Sequence, residues 1–272
     1  MKPKKTMWSI GVSNITKGEV KFYASLKQKK NRELEKKFII EGTHLVEEAL
    51  RSEIYSGKLE KVLVRKDYMN EDLLATIAKK NIPIATVSSK DLEKISDTVT
   101  PQGIIGVVNI LSGTIASPST GPIIALDNIN DPGNMGTILR TAYWYDVKSI
   151  IVSENTVDIF NPKVLRGSQG GIFNISVDTV PNLHQYLLQK ANEGWTVLLT
   201  DLKAKEYLSD YSFTGDKYIL VLGSEASGVS PSILSENKFH SIKIKPYSKC
   251  ESLNVGVTTG IMLNEFRSKT DK

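Results

Sequence analysis

The sequence predicts a two-domain α/β protein, and three features of the chain point to that fold class. Its 272 residues exceed the usual size of one domain, so two domains of about 100 to 150 residues each are expected. Strand-like apolar runs alternate with helix-like periods, as in α/β proteins. Residues 112–122 (SGTIASPSTGP) have the composition of a linker. We therefore expect domains at residues 1–111 and 123–272.

The first domain is predicted to be a small α/β sandwich. Residues 20–37 carry apolar side chains at roughly helical spacing and predict one basic helix. Alternating strands and helices follow, and an apolar strand closes the domain. The predicted strands are residues 38–42, 61–65, 82–87 and 103–111, and the predicted helices are residues 43–51, 70–79 and 89–95.

The second domain is predicted to be a doubly wound sheet with a closing helix within residues 253–266. In such sheets the ligand crevice lies beyond the carboxyl ends of the strands, so polar residues that follow a strand are candidates for a site. The predicted strands are residues 123–128, 149–153, 175–177, 196–201 and 218–223.

Composition and charge exclude several classes of protein. No apolar run reaches the roughly 18 residues of a membrane span, and the lysine-rich start lacks a secretion signal, so a cytoplasmic protein is expected. The single Cys250 and three scattered histidines predict neither a disulfide nor a metal site. Residues 1–37 hold eleven basic side chains against three acidic ones, which suits a phosphate-rich partner or, equally, a solvated helix face.

Three polar segments follow predicted strands or precede the last helix. The first runs from Leu126 to Ala142 and contains Asn134 at the expected start of a helix, with Arg140 six residues later. Residues 218–231 form a strand that breaks into a small-residue loop carrying Glu225, and residues 244–255 contain Ser252 and Asn254. Taken singly, each segment is equally typical of an ordinary helix cap or turn. Neither a P-loop nor a dinucleotide fingerprint is present.

Taken in order, the three segments resemble the motifs of the SpoU (TrmH-like) family, DPxNxGxxxRTA, GxExxGxS and ESLNV. Residues 27–50 and the TPQG at residues 100–103 resemble the family's N-terminal substrate-binding domain. The resemblance implies an L30e-like first domain, a SPOUT catalytic domain with a C-terminal trefoil knot, and a homodimer. It also implies an enzyme that uses S-adenosylmethionine to methylate the 2′-hydroxyl of a ribose in structured RNA.

The resemblance also implies which residues form the sites. The implied catalytic residues are Asn134, Arg140, Glu225, Ser252 and Asn254; the implied cofactor-binding residues are Thr200, Leu222, Gly223, Ile244 and Leu253; and the implied RNA-binding residues are Lys27, Lys29, Lys30 and Arg32. The sequence departs from the family pattern at Ser224, in the Ile-Lys-Pro-Tyr-Ser run from Ile244, and at Gly256 and Gly260. These changes bear on cofactor affinity and helix packing and remove no catalytic group.

The chemistry assigns Arg140 one of two roles. The family's arginine is often proposed to activate the hydroxyl group, but a guanidinium stays protonated at accessible pH. We therefore favour a clamp on the neighbouring phosphate that also stabilises the developing alkoxide. Glu225 is expected to hold Arg140 or its own loop.

Three alternatives remain open at the level of sequence. Cys250 suggests a base methyltransferase that works through a thiolate, although no neighbouring general base supports it. A non-catalytic RNA-binding or ribosome-assembly protein would share the basic N-terminus. A tRNA substrate is the third, but the N-terminal domain resembles those of rRNA-directed relatives, and ribosomal RNA is the expected substrate.

Overall fold

A computed structural model of the chain describes residues 13–111, 121–213, 215 and 217–270. It divides into two compact units. The first consists of the described residues up to 111 together with Phe160–Phe173, and the second consists of the described residues of 121–159 and 174–270. Most of the predicted linker, residues 112–120, lies outside the described residues.

The first unit is built on a mixed sheet. Its elements along the chain are β1 (Ser13–Asn14), α1 (Lys17–Ser25), α2 (Lys29–Glu35), β2 (Lys37–Glu41), α3 (Thr43–Arg51), β3 (Leu59–Arg65), α4 (Glu71–Lys79), β4 (Ile84–Val87), α5 (Ser89–Ile95) and β5 (Ile104–Asn109). The strand order is β1-β4-β3-β5-β2, and β5 runs antiparallel to both β2 and β3. The predicted alternation of strands and helices is confirmed, with boundaries shifted by a few residues.

The prediction of one helix over residues 20–37 is wrong, because a turn separates α1 from α2. Leu26 is fully buried at that turn, and Gln28 has an extended backbone. The Arg32 guanidinium donates hydrogen bonds to the carbonyl oxygens of Leu26 (2.8 Å) and Lys27 (2.7 Å). These bonds satisfy carbonyl groups that have no helical partner where α1 ends, and they stabilise the turn. The spacing of apolar residues gives no sign of such a side-chain contact, so the break was not predicted.

The second unit is built on a parallel sheet. From residue 121 onward the elements are β6 (Ile123–Asp127), α6 (Pro132–Trp144), β7 (Ser149–Ser153), α7 (Pro162–Ser168), β8 (Ser176–Val180), α8 (Leu183–Asn192), β9 (Thr196–Thr200), β10 (Glu206–Tyr207), β11 (Tyr218–Gly223), α9 (Pro231–Leu234), β12 (His240–Lys243) and α10 (Val255–Thr270). Among the described residues seven strands pair in parallel in the order β10-β12-β9-β11-β6-β7-β8.

All five predicted strands of this unit are present, and two strands were missed. The predicted strand at residues 175–177 is β8, which starts one residue later and extends to Val180. Strand β10 has only two residues, and β12 has a single apolar side chain, Ile242, so neither gives a strand signal in the sequence. The central strands β6 and β11 are buried throughout, as expected for a sheet covered on both faces.

A segment of the predicted second domain packs in the first unit. Phe160 stacks on Phe38 with ring centroids 4.5 Å apart. Beyond α7, the Ser52 hydroxyl donates a 2.5 Å hydrogen bond to the carbonyl oxygen of Phe173. Arg166 forms an ion pair with Asp97 at 3.0 Å. The first unit is therefore completed by residues 160–173, which the sequence analysis did not predict.

Helices α6 and α10 pack closely against each other, and a glycine makes the approach possible. A Cβ atom on Gly256 would lie 2.6 Å from Cγ2 of Thr137. Because α6 and α10 carry the first and third motifs, this contact sets the distance between them. The glycine that departs from the family pattern is thus explained by close packing.

We predict that Gly256→Ala destabilises the protein by about 1 to 2 kcal/mol, because the added methyl group overpacks the contact with Thr137. The loss would occur although alanine is the better helix former. Thr137→Ser, which removes Cγ2, should recover part of the stability in the double variant. Thermal and denaturant unfolding measure both effects.

Gly260→Ala is the matched control on the same helix. The nearest atom to its added Cβ would be Cγ2 of Thr141 at 3.7 Å, an ordinary contact. This variant should therefore be neutral or slightly stabilising. Equal destabilisation by the two alanines would contradict the packing account.

Candidate active site

Two of the three motifs begin where adjacent parallel strands end. In the register of β6 and β11, Gly223 lies opposite Asp127, so both strands reach the same edge of the sheet at the same level. The third motif leads into α10, which packs against α6. The carboxyl edge of the sheet, where ligands bind in doubly wound folds, therefore carries the predicted site.

Asp127 connects the first two motifs. It is a buried acid at the end of β6, and one carboxylate oxygen accepts a hydrogen bond from the Asn128 side chain (2.8 Å). The other oxygen accepts a 2.7 Å hydrogen bond from the backbone N–H of Ser230 in the second motif. Asp127 is not among the site residues predicted from the sequence. Its signal is a carboxylate that directly follows an apolar strand.

Helix α6 begins at Pro132 and is capped by Asp131, whose carboxylate accepts a 2.8 Å hydrogen bond from the backbone N–H of Asn134. A proline at the first position and an aspartate cap are both favourable for a helix start. Asn134 is therefore not the cap residue. It lies in the first turn, where its side chain is half-buried and available for other contacts.

Asn254 joins the three motifs through one side chain. Its amide nitrogen donates two 2.8 Å hydrogen bonds, one to Oδ1 of Asn134 and one to Oε1 of Glu225. Its carbonyl oxygen accepts from the backbone N–H groups of Gly256 (2.9 Å) and Val257 (3.3 Å), which caps α10. Asn254 lies 120 positions from Asn134 and 29 from Glu225 in the sequence, so three of the predicted catalytic residues converge from distant segments on one hydrogen-bonded cluster.

The other two predicted catalytic residues lie outside that cluster. Arg140 is exposed on α6, and among the described residues none forms a hydrogen bond or ion pair with its guanidinium. Ser252 is also exposed, and its carbonyl oxygen accepts a 3.4 Å contact from the thiol of Cys250. Both side chains are free to contact a substrate.

The second motif folds back on itself over a glycine. The backbone N–H of Gly228 donates a 2.8 Å hydrogen bond to the carbonyl oxygen of Ser224. A Cβ atom on Gly223 would lie 2.0 Å from the carbonyl carbon of Gly228, so no other residue fits at position 223. The loop carries Glu225 at its exposed surface, where the carboxylate meets Asn254.

The predicted cofactor-binding residues lie along the same edge of the sheet. The Thr200 hydroxyl donates a 3.0 Å hydrogen bond to the carbonyl oxygen of Val221 and so ties β9 to β11. Leu222 and Gly223 are buried at the end of β11, whereas Ile244 and Leu253 are partly or largely exposed. In the described part of the chain, residues 245–253 make no backbone–backbone hydrogen bond. The Cys250 N–H donates to the Ser248 hydroxyl and the Ser252 carbonyl accepts from the Cys250 thiol. Most of the other backbone groups in this segment are available to a ligand, which fits a cofactor held by backbone groups.

The predicted RNA-binding residues differ in what they can reach. Lys29 and Lys30 are exposed, whereas the ammonium group of Lys27 donates a 2.8 Å hydrogen bond to the carbonyl oxygen of Lys94. Arg32 is only 3% exposed and bonds the turn after α1, so we correct its assignment from an RNA contact to a structural residue. The lysines remain candidates for phosphate contacts.

Three further features of the described residues concern metal ligands, membrane helices and the single cysteine. Within those ranges no group of three His, Cys, Asp or Glu side chains is placed to hold a metal ion. No helix that the structure describes is long and apolar enough to cross a bilayer. Cys250 is a free, exposed residue whose thiol contacts the carbonyl oxygen of Ser252 at 3.4 Å, and a backbone carbonyl is not a general base.

Comparison with known proteins agrees with this geometry. Residues 121–264 match the SpoU rRNA Methylase family, and residues 17–106 match the MRM3-like substrate binding domain. The chain is 30% identical to the 23S rRNA (guanosine(2553)-2′-O)-methyltransferase RlmP of Bacillus subtilis, over 92% of this chain and 96% of that protein. The AdoMet-bound rRNA methyltransferase from Sinorhizobium meliloti superposes with a TM-score of 0.81 at 26% identity, over 95% of this chain and 97% of that one.

The protein is an S-adenosylmethionine-dependent RNA 2′-O-ribose methyltransferase. It has the features of that class: a substrate-binding domain followed by a parallel α/β domain with three motifs at one edge of the sheet. The chain belongs to the SpoU rRNA methylase family. The predicted fold class, enzyme class and cofactor are thereby confirmed.

The two roles of Asn254 can be separated by substitution. Asn254→Asp keeps an oxygen that caps α10, but it loses both donated hydrogen bonds and places a second carboxylate beside Glu225. We predict that this variant stays within about 1 kcal/mol of wild-type stability, since aspartate and asparagine cap helices equally well. Its methyl-transfer rate should fall at least about tenfold, because Asn134 is no longer held in place and a misplaced reacting group can cost about a hundredfold in rate.

Asn254→Ala serves as the comparison, because it loses the cap as well as the bridge and should reduce both stability and activity. Unfolding curves and initial rates of methyl transfer measure the two properties separately. Wild-type activity in the aspartate variant would show that the bridge has no part in the reaction.

Proposed function

We propose that this chain methylates the 2′-hydroxyl of one ribose in ribosomal RNA, with the cluster around Asn254 arranging the acceptor nucleotide. The observation that carries the proposal is the side-chain bridge from Asn254 to Asn134 and Glu225 at the carboxyl edge of the sheet. The choice of ribosomal RNA is supported by the Bacillus subtilis relative, whose name gives 23S rRNA as its substrate.

The reaction needs alignment more than a strong base. When bound, S-adenosylmethionine would supply an electrophilic methyl group to the 2′-oxygen and leave as a neutral thioether, while the hydroxyl proton would pass to solvent. The protein contributes by holding the ribose so that its oxygen lies behind that methyl group, which can account for much of the rate.

Asn134 is suited to orient the ribose. Its Oδ1 accepts the hydrogen bond from Asn254, which leaves its amide N–H groups available as donors to a substrate. Glu225 accepts the second hydrogen bond from Asn254 and thereby holds the bridging amide in one orientation. We therefore assign Glu225 to Asn254 instead of to Arg140, and we assign Ser252 to a direct contact with the acceptor nucleotide.

Arg140 is assigned to the phosphate beside the target ribose. Its guanidinium is exposed and has no described protein partner, so it is free to form paired hydrogen bonds with phosphate oxygens. The same positive charge stabilises the alkoxide as the proton leaves.

We predict that Arg140→Ala lowers kcat/KM by roughly a hundredfold, as expected when one donor to a developing oxyanion is removed. Arg140→Lys should recover only part of the loss, since lysine keeps the charge but not the paired geometry. Methyl transfer to ribosomal RNA and RNA binding are measured in parallel, so that a clamp is distinguished from a purely chemical role. Full activity in both variants would remove Arg140 from the mechanism.

We further propose that the protein acts as a homodimer through the outer face of α6 and α10, in the cytoplasm where ribosomal RNA is found. Trp144 on α6 is 83% exposed, and Val257 and Ile261 on α10 are 51% and 38% exposed. Large, exposed apolar side chains on two helices that pack together are typical of a protein interface. Arg140 lies one helical turn before Trp144, so a second copy on this face would border the site.

We predict that Trp144→Glu converts a dimer to a monomer and lowers methyl transfer, because a charge would be buried at the interface. Sedimentation velocity gives the mass in solution. The matched control is Met69→Glu, since Met69 is 82% exposed and belongs to the first unit, not to α6 or α10. A monomeric wild-type protein, or dissociation by both variants alike, would contradict this interface.

A further inference from the structure

Two tyrosines and two lysines lie together on the second unit, and we call them the tyrosine–lysine surface: Lys245 and Tyr247 are exposed, and Tyr207 and Lys243 are half-buried. Tyr207 on β10 lies directly opposite Lys243 on β12 in the strand register. The Lys243 ammonium lies 5.2 Å from the centre of the Tyr207 ring. The Lys245 ammonium lies 5.7 Å from both tyrosine rings. The four side chains are therefore neighbours, alternating aromatic and cationic groups.

The stretches of chain around this surface are positively charged. Residues 203–207 and 243–251 carry five lysines against two glutamates. The lysines are Lys203, Lys205, Lys243, Lys245 and Lys249, and the glutamates are Glu206 and Glu251. Tyr247 is 91% exposed, so its ring contributes little to the core of the protein. Exposed aromatic rings among cations are typical of surfaces that bind single-stranded nucleic acid.

The surface lies at the same edge of the sheet as the catalytic cluster. Lys243 ends β12, Gly223 ends β11, and only β9 separates these two parallel strands. Neighbouring strands are about 4.8 Å apart, so the two strand ends are separated by roughly 10 Å. Tyr247 also lies on the segment that leads directly to Ser252 and Asn254. Nucleotides next to a ribose held at Asn134 and Asn254 would therefore be within reach of the tyrosine–lysine surface.

We propose that the tyrosine–lysine surface binds unpaired nucleotides that flank the methylated ribose, and so helps to select the target. Tyr247 stacks on a nucleobase, Tyr207 supports the loop by its contact with Lys245, and Lys243 and Lys245 neutralise phosphates. This inference rests on RNA being the substrate. It gives the second unit an RNA contact in addition to the cluster around Asn254.

Charge favours RNA over the methyl donor as the occupant. S-adenosylmethionine carries a sulfonium and an ammonium group against one carboxylate, so its net charge is positive, and a pair of lysines would repel it. RNA is a polyanion and gains from the same lysines through counterion release. Tyr247 is 91% exposed, so its ring is accessible to a nucleobase that stacks on it.

The first test compares Tyr247→Ala with Tyr247→Phe in the full-length protein. Loss of one base–aromatic stack costs about 1 to 3 kcal/mol, so the alanine variant should bind a fluorescent single-stranded oligoadenylate roughly tenfold more weakly and raise the KM for ribosomal RNA by a similar factor. The phenylalanine variant should match wild type. Binding to a double-stranded RNA of equal length should not change.

The second test measures how oligoadenylate binding depends on salt. Lys245→Gln should make the slope of log K against log salt concentration shallower by about 0.7, the value for one phosphate contact on a single strand. Lys148→Gln is the matched control. Lys148 immediately precedes β7 and therefore lies at the amino edge of the same sheet, opposite the site. The salt slope of Lys148→Gln should equal that of the wild-type protein.

Both tests include direct titration with S-adenosylmethionine. The proposal is overturned if Tyr247→Ala leaves oligoadenylate binding unchanged, or if it weakens the methyl donor as much as the RNA, because the ring would then serve the cofactor or the loop. It is also overturned if Lys148→Gln changes the salt slope as much as Lys245→Gln. Oligoadenylate binding does not require the natural target, so failure here is distinguishable from failure of the ribosomal RNA assignment.

Discussion

The catalytic unit depends on one side-chain amide. Asn254 has two N–H groups and one carbonyl oxygen, and all three have partners: Asn134, Glu225 and the start of α10. An asparagine is suited to this position because it donates and accepts at once, whereas aspartate only accepts. The bridge lies at the surface, where each hydrogen bond contributes modestly to stability. Its main effect is to hold three distant segments in one arrangement before a substrate binds.

That arrangement depends on close backbone packing beneath it. Gly256 lets α10 approach α6, and Gly223 lets the second motif fold back against Gly228. The buried carboxylate of Asp127 then ties the end of β6 to the backbone of Ser230. Hydrogen-bonded side chains position a site well only when the elements beneath them are rigid. The parallel sheet and the two packed helices provide that rigidity.

Much of the fold could be predicted from the sequence, and the reasons for the exceptions are physical. Strands β6, β7, β9 and β11 were identified because buried parallel strands are apolar throughout. Strands β10 and β12 were missed because a two-residue strand and a half-polar strand have no period to detect. The break between α1 and α2 depends on the buried guanidinium of Arg32, and the packing of residues 160–173 in the first unit is a long-range contact.

Three of the five predicted catalytic residues lie together in the structure, but how they contact one another could not be predicted from the sequence. Ordered motifs identified Asn134, Glu225 and Asn254 together, because the family resemblance supplied their common role. The resemblance could not show that Asn254 bridges the other two, that Asp131 caps α6, or that Glu225 faces Asn254 and not Arg140. These are short-range geometries that depend on the register of β6 with β11 and on how α6 packs against α10.

The most direct measurement is a map of 2′-O-methylated riboses in ribosomal RNA from cells that lack the gene and from cells complemented with wild-type protein or with Asn254→Asp. The account predicts one ribose that is unmethylated without the gene, methylated with wild type, and largely unmethylated with the variant at equal protein level. An unchanged set of 2′-O-methyl groups, or a lost methyl group on a base, would contradict it.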